Sequence, residues 1–290
     1  MGHISSNRGF LTLKILICVN GQKYARSALG FAADLLKSVS AEVTLLFVEH
    51  PLATSAPKAA FDFVQKGPVP SPWTMQTKIV KGDLSEQITA ELRKGKHDLL
   101  ILGSLSPGDL LDPNKEMSYL KDTEEKLLRT CQTSLLVVKN PRPLYKVLIC
   151  TDGSKMALGA IHFFGKLQLS PPPRINIVNV VPEIYTRFAD MLAPVGEELR
   201  DALATLPGKR TAYLYQAKEI LAGYKLDAKV KLREGDASEE ILTEAKNDYD
   251  LVVMGMGGRK ADVKETLGRQ TRRVIRAASA PVLAIRNTGT

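Results

Sequence analysis

The sequence predicts an α/β chain built from two tandem doubly wound, five-stranded parallel-sheet units. The first observation behind this is internal repetition. Lys14-Ile15-Leu16-Ile17-Cys18-Val19-Asn20-Gly21 returns as Lys146-Val147-Leu148-Ile149-Cys150-Thr151-Asp152-Gly153. Lys81-Gly82-Asp83-Leu84-Ser85-Glu86-Gln87-Ile88 likewise returns as Glu234-Gly235-Asp236-Ala237-Ser238-Glu239-Glu240-Ile241, in the same order along the chain. Segments that repeat in order mark a tandem duplication. The second observation is that runs such as Leu99 to Leu102 and Leu251 to Met254 are apolar throughout rather than alternating. Strands of that kind are buried on both faces and belong to parallel sheets covered by helices. The third is that helical patterns separate them, as α/β architecture requires.

Taken in order, the first unit opens with a strand over Lys14 to Val19, a helix over Ala25 to Leu36 and a strand over Val43 to Val48. Pro51 to Thr74 is rich in Pro, Ala and Ser and holds one brief helical stretch at most, which leaves this unit an incomplete helix layer on one face. A further strand, a helix with Ser85 as its N-cap, the strand at Leu99, another helix and the strand Ser134 to Val138 follow. The linker Lys139-Asn140-Pro141-Arg142-Pro143 is stiffened by proline and divides the chain into units 1–140 and 141–290. The second unit repeats the scheme, with strands at Lys146 to Cys150, Ile175 to Val180, Leu251 to Met254 and Val282 to Ile285, and with Ser238 as an N-cap. Its middle differs: Pro194 to Tyr224 is a long helical pattern interrupted at Pro207-Gly208.

Bulk properties narrow the function classes. With 290 residues, of which 44% are hydrophobic, there is enough apolar material for about two ordinary globular cores. No apolar stretch approaches the roughly 20 residues that span a bilayer. Met1 to Phe10 lacks the charged start and apolar centre of a signal peptide, so a soluble cytoplasmic protein is expected. Cys18, Cys131 and Cys150 are scattered and read as buried reduced thiols. The histidines never cluster with acids or cysteines at metal-ligand spacing, which argues against a structural metal. A net charge of +9 attracts anions, but the basic residues are dispersed among acids and aromatics are only 6%, so nucleic acid is a poor fit.

The chemistry concentrates in the last forty or so residues. An apolar strand ends in Met254-Gly255-Met256-Gly257-Gly258, Gly268-Arg269-Gln270-Thr271 opens a helix, and Pro281 leads the final strand. Glycines between a strand and a helix let backbone approach a phosphate, whose charge the helix N-terminus favours. The plainer readings are a tight turn for the glycines and a turn with a helix cap for Asp152-Gly153-Ser154. Arg269, Arg272, Arg273 and Arg276 gather on one helix face opposite Leu267, Thr271, Val274 and Ala278, as a solvated stripe would.

Thr151-Asp152-Gly153-Ser154, the spacing of Gly255, Gly258 and Gly268, the proline-led last strand and the duplication together resemble the universal stress protein family in tandem form. The resemblance spans about Leu13 to Arg286. It implies the strand order 3-2-1-4-5 and an adenine nucleotide, ATP with magnesium, in the second unit. Thr151 and Asp152 would meet adenosine polar groups, Val180 would face adenine through its backbone, and Met254, Gly255 and Gly258 would border the phosphates. Gly268, Arg269 and Gln270 would hold the distal phosphate. The family pattern carries Ser or Thr where this chain has Arg269, which reads either as a solvated charge or as a phosphate clamp. The resemblance also implies antiparallel pairing of Leu135 to Val138 with Val282 to Ile285 inside one chain, and further homodimerisation is open.

The first unit departs from that pattern. Asn20 replaces Asp152, Ser104-Leu105-Ser106-Pro107 follows Gly103 without a second glycine, and Lys121-Asp122 stands where Gly268-Arg269 does. Glu124 and Glu125, with Asp109 and Asp112, add charge that repels a triphosphate. The first unit is therefore expected to be a degenerate partner. No nucleophile, base and acid are grouped for strong catalysis, and slow ATP hydrolysis would need Asp152 to hold magnesium. The expectation is a stress-response protein that binds a nucleotide without strong catalytic activity. The alternative is an intramolecular pseudo-dimer that binds no nucleotide and acts as a protein-interaction module.

Overall fold

The computed structural model describes residues 12–19, 22–49, 70, 72–103, 115–182, 212–257 and 267–286. Asn20, residues 51–69, Ser104 to Pro107, Asp109, Asp112, the stretch from Pro194 to 211, and Gly258 lie outside them. The first half contributes β1 (Thr12–Cys18), α1 (Gln22–Leu35), β2 (Ser40–Glu49), β3 (Trp73–Lys81), α2 (Leu84–Gly95), β4 (Leu99–Gly103), α3 (Lys115–Thr130) and β5 (Ser134–Val138). The second contributes β6 (Lys146–Cys150), α4 (Lys155–Lys166), β7 (Arg174–Val181), α5 (212–223), β8 (Ala228–Glu234), α6 (Ala237–Ala245), β9 (Leu251–Gly255), α7 (Arg269–Ala277) and β10 (Val282–Ile285).

These strands form one ten-stranded sheet in the order β3-β2-β1-β4-β5-β10-β9-β6-β7-β8. Each half is parallel and doubly wound in the order 3-2-1-4-5. The halves meet where β10 runs antiparallel to β5, with Val282 opposite Val137, Leu283 opposite Leu136 and Ala284 opposite Leu135. Alternate side chains of each strand face opposite layers. Ile15, Ile149 and Val253 pack under α1, α4 and α5 through Ala32, Phe164 and Leu221. Leu16, Leu148 and Val252 pack under α2, α3, α6 and α7 through Ile88, Leu128, Ile241 and Ile275. Each side chain of this size contributes about 1.5–3 kcal/mol when fully buried, and both layers run across the β5–β10 seam without a break.

The helix caps differ from the sequence expectation. Asp83 and Asp236, not Ser85 and Ser238, are the N-caps of α2 and α6. The Asp236 carboxylate accepts from the backbone N–H of Ser238 at 3.0 Å and of Glu239 at 3.1 Å, and the Ser238 hydroxyl donates to it at 2.6 Å. A carboxylate outcompetes a hydroxyl at this position because its charge also meets the positive end of the helix. Those bonds, the Ser238 hydroxyl first, hold the Asp236 carboxyl below its usual range.

A second aspartate, exposed in the first half (Asp98) and buried in the second (Asp250), ties each half of the sheet together at the N-terminal ends of its strands. Asp98 Oδ2 accepts from Lys14 N at 2.8 Å, and Asp250 Oδ2 accepts from Tyr145 N at 2.9 Å and Lys146 N at 2.8 Å. Arg142, in the linker, places Nε 3.2 Å from Asp250 Oδ1. The linker therefore does more than separate the halves. At its start the buried Lys139 donates from Nζ to the carbonyls of Ile275 at 2.7 Å and Arg276 at 3.2 Å. That cation satisfies the last carbonyls of α7, where the helix dipole is negative. Burial holds the Lys139 ammonium below its usual range, and Glu124, 3.7 Å away, works against that. Arg276 reaches across to Glu125, and Ser134 Oγ accepts from Arg286 N at 3.2 Å.

Candidate nucleotide site

In the second half the chain steps outward from β6 through β7 to β8 and then returns to β9 on the other flank of β6. An open α/β sheet leaves a crevice at the carboxyl ends of its strands where the order reverses, here between β6 and β9. The turn after β6 forms one wall. Asp152 Oδ1 accepts from Ser154 N at 2.9 Å, and Ser154 Oγ accepts from Ala157 N at 3.2 Å to cap α4. Gly153 has φ +77°, which residues with side chains rarely adopt. A Cβ there would also lie 2.4 Å from the ring of Tyr213, so the ring of α5 lies directly over this turn.

Thr151 is buried rather than presented. Its Oγ1 accepts from Gly153 N at 3.2 Å, and its carbonyl accepts from Asn179 Nδ2 at 2.6 Å. Asn179 is 1% exposed and its Oδ1 makes no hydrogen bond among the described residues. Its neighbour Val180 is half-buried at the carboxyl end of β7. Thr151, Asp152 and Val180 thus occupy neighbouring strand ends on one side of the crevice.

Gly255 forms the other wall, and its missing side chain has a packing reason. A Cβ at Gly255 would lie 2.8 Å from Ala157 N and 2.8 Å from Met156 C, in the first turn of α4. Met254 is buried in the core on the α7 side of the sheet. Met256 O accepts from Gly268 N at 2.7 Å, so the two ends of the stretch from Gly257 to Leu267 are clasped together. The buried Thr271 reinforces this by donating to Gly255 O at 3.0 Å. Gly268 is the N-cap of α7 and offers no side-chain cap, leaving first-turn N–H groups at the crevice. Gln270 is half-buried and Arg269 exposed. Gly258 lies outside the described residues.

Within the arginine stripe of α7, exposed at Arg269, Arg273 and Arg276, two residues pair with acids on other elements. Arg273 pairs with Asp236 at 3.2 Å and Glu239 at 2.8 Å, and Arg276 with Glu125 of α3. Cys18, Cys131 and Cys150 are buried and form no disulfide, and burial pushes the Cys150 thiol far up. Among the described residues no group of three or more His, Cys, Asp or Glu could hold a metal ion. No described helix is long and apolar enough to cross a membrane. His162 lies exposed on α4, its Nδ1 3.2 Å from Tyr224 Oη.

The first half is built differently at the corresponding place. Counting back from the last strand, Lys121-Asp122 matches Gly268-Arg269, yet α3 already begins at Lys115. Lys121 and Asp122 therefore lie inside a continuous helix, and no N-terminus opens there. Sequence reasoning also missed the two aspartate ties and the Asn179 bond to Thr151. The ties had a signal, since Asp98 and Asp250 recur at matching positions; Asn179 had none, because Phe47 stands at the matching position.

Comparison with known proteins places this geometry in context. Residues 144–286 match the family model described as the universal stress protein family. A universal stress protein of Synechocystis sp. is 27% identical over 263 residues, covering 89% of this chain and 80% of that protein. One of Methanocaldococcus jannaschii is 28% identical over 152 residues, covering 52% of this chain and 87% of that protein. The crystal structure of a universal stress protein from Archaeoglobus fulgidus superposes with a TM-score of 0.62 at 16% identity, over 94% of this chain and 98% of that one. At that identity the superposition speaks to the fold.

Proposed function

Since the chain belongs to the universal stress protein family, its matched region being the second half, we propose that this half binds an adenine nucleotide, ATP with magnesium. The observation that carries the reading is the uncapped start of α7, clasped through Gly268 N to Met256 O beside the end of β9. Helix N–H groups converging on a topological switch point suit a phosphate chain. In this reading Asp152 and the backbone at Val180 take the adenosine, while Gly255, Gly268, Arg269 and Gln270 border the phosphates, with Gly258 in the stretch between them. Thr151 and Met254 act from below, by holding the turn and the strand end. In this reading the protein acts by binding the nucleotide, with at most slow hydrolysis.

ATP with magnesium at a hundredfold excess over its Kd is expected to raise the melting temperature by about 5 °C or more. Asp152→Ala should remove most of that rise while leaving the ligand-free melting temperature within about 3 °C. The absence of any shift with ATP, ADP or AMP at millimolar concentration would refute the reading.

The units 1–140 and 141–290 act, in this proposal, as an internal pseudo-dimer whose first half is degenerate. The uninterrupted helix α3 supports that degeneracy. The seam is expected to survive in solution, so amides of Leu135 to Val137 and Val282 to Ala284 should exchange hydrogen as slowly as those of β1 and β6. Exchange at the rate of free strand edges would show that the halves part. A pseudo-dimer that binds proteins rather than nucleotides is the second reading, favoured by the Tyr213 ring lying over Gly153. It is what would remain if the nucleotide shift failed.

A further inference from the structure

The antiparallel seam creates a second concavity outside the nucleotide crevice. It lies between α4 and the N-terminal ends of β1, β4 and β5, and has a volume of 630 Å³. Pockets of this size take small organic ligands. Lys155, His162 and Lys166 line it from α4, Arg286 from the end of β10, and His97 and Asp98 from the start of β4. Its apolar wall includes Leu13, Leu158, Phe163 and Ile285. Three permanent cations thus face one carboxylate, and that carboxylate already accepts the Lys14 N–H. The surplus matches a dianion, and the apolar wall calls for a body attached to it.

We propose that this cleft binds a small organic phosphate monoester. Neither half can form it alone, because the first half supplies the strand ends and the second supplies the cationic helix face. The antiparallel pairing brings them together by setting the N-terminal ends of the first half's strands beside the carboxyl ends of the second's. Lys166 and His162 are exposed on α4, one turn apart, so the anion is held at the rim while the apolar body enters. The cleft stands apart from the nucleotide reading, sharing with its walls only the helix α4.

Calorimetric titration of the full chain with phenyl phosphate at about 50 mM salt, where surface charge is little screened, tests this. The expected result is saturable binding, weaker for inorganic phosphate and absent for benzyl alcohol. Lys166→Glu should weaken it about tenfold or more, and Lys166→Arg should restore it. Lys166 is exposed, so both variants should fold, and circular dichroism checks that. Saturating ATP should leave phenyl phosphate binding unchanged. No binding, binding equal for benzyl alcohol, indifference to Lys166→Glu, or competition by ATP would each overturn the proposal. A failed ATP shift with intact phenyl phosphate binding would leave the cleft standing and remove only the nucleotide site.

Discussion

Gly255→Val is expected to destabilise the protein by about 3 kcal/mol or more and to abolish any ATP-dependent thermal shift. The obstruction is backbone: the first added carbon already lies 2.8 Å from Ala157 N and Met156 C. No rotamer change relieves such a contact. Helix α4 must move away from β9, or β9 must tilt between β6 and β10, which pair with it on either side. Either motion strains the Thr271 hydroxyl bond to Gly255 O and the clasp from Gly268 to Met256. Gly30→Ala serves as the control. Gly30 lies in α1 with nothing within 4 Å of the added carbon, so that change should be neutral or stabilise by up to about 1 kcal/mol. Melting curves decide the matter. A Gly255→Val protein that melts with its parent would mean the close approach of strand to helix is not a constraint.

Asp250→Ala should cost about 3 kcal/mol, seen as a fall of about 5–10 °C in melting temperature. The carboxylate is buried, accepts from two backbone N–H groups at the start of β6 and lies 3.2 Å from Arg142 Nε. Alanine takes from those donors the acceptor they have, and orphaned donors cost more than the bond itself contributed. Asp250→Asn keeps one acceptor oxygen and gives up the ion pair, so it should lie between alanine and the parent. Denaturation of the three proteins side by side is the measurement. A fall of less than about 2 °C for Asp250→Ala would show that the tie at the N-terminal ends of the strands is dispensable.

The fold was legible in the residues because periodicity and duplication report burial directly. Leu99 to Leu102 and Leu251 to Met254 are apolar throughout because a strand covered on both faces has no solvent side to alternate with. The caps were less legible. Ser85 and Ser238 have the right chemistry two residues too late, and only backbone geometry reveals that Asp83 and Asp236 occupy the cap itself. At the candidate site the sequence located the turn after β6, the end of β9 and the start of α7. It could not separate a glycine needed by a ligand from one needed by a helix. Gly255 meets the backbone of α4, a segment about a hundred residues earlier, and no local pattern carries that information.

By itself, then, the sequence determined the class of fold, the duplication and the difference between the halves, since each is written in local composition and spacing. The tertiary structure decided the rest. It buried Thr151 and Met254, set Tyr213 over Gly153, ran α3 through the place where the second half opens a helix, and paired Arg273 and Arg276 with acids on other elements. It also brought Lys155, Lys166 and His97 to the lining of one cleft at the seam. These are contacts between segments distant in the chain. They depend on the register and direction of strand pairing, and hydrophobic patterning constrains which face a residue takes but not which partner it meets.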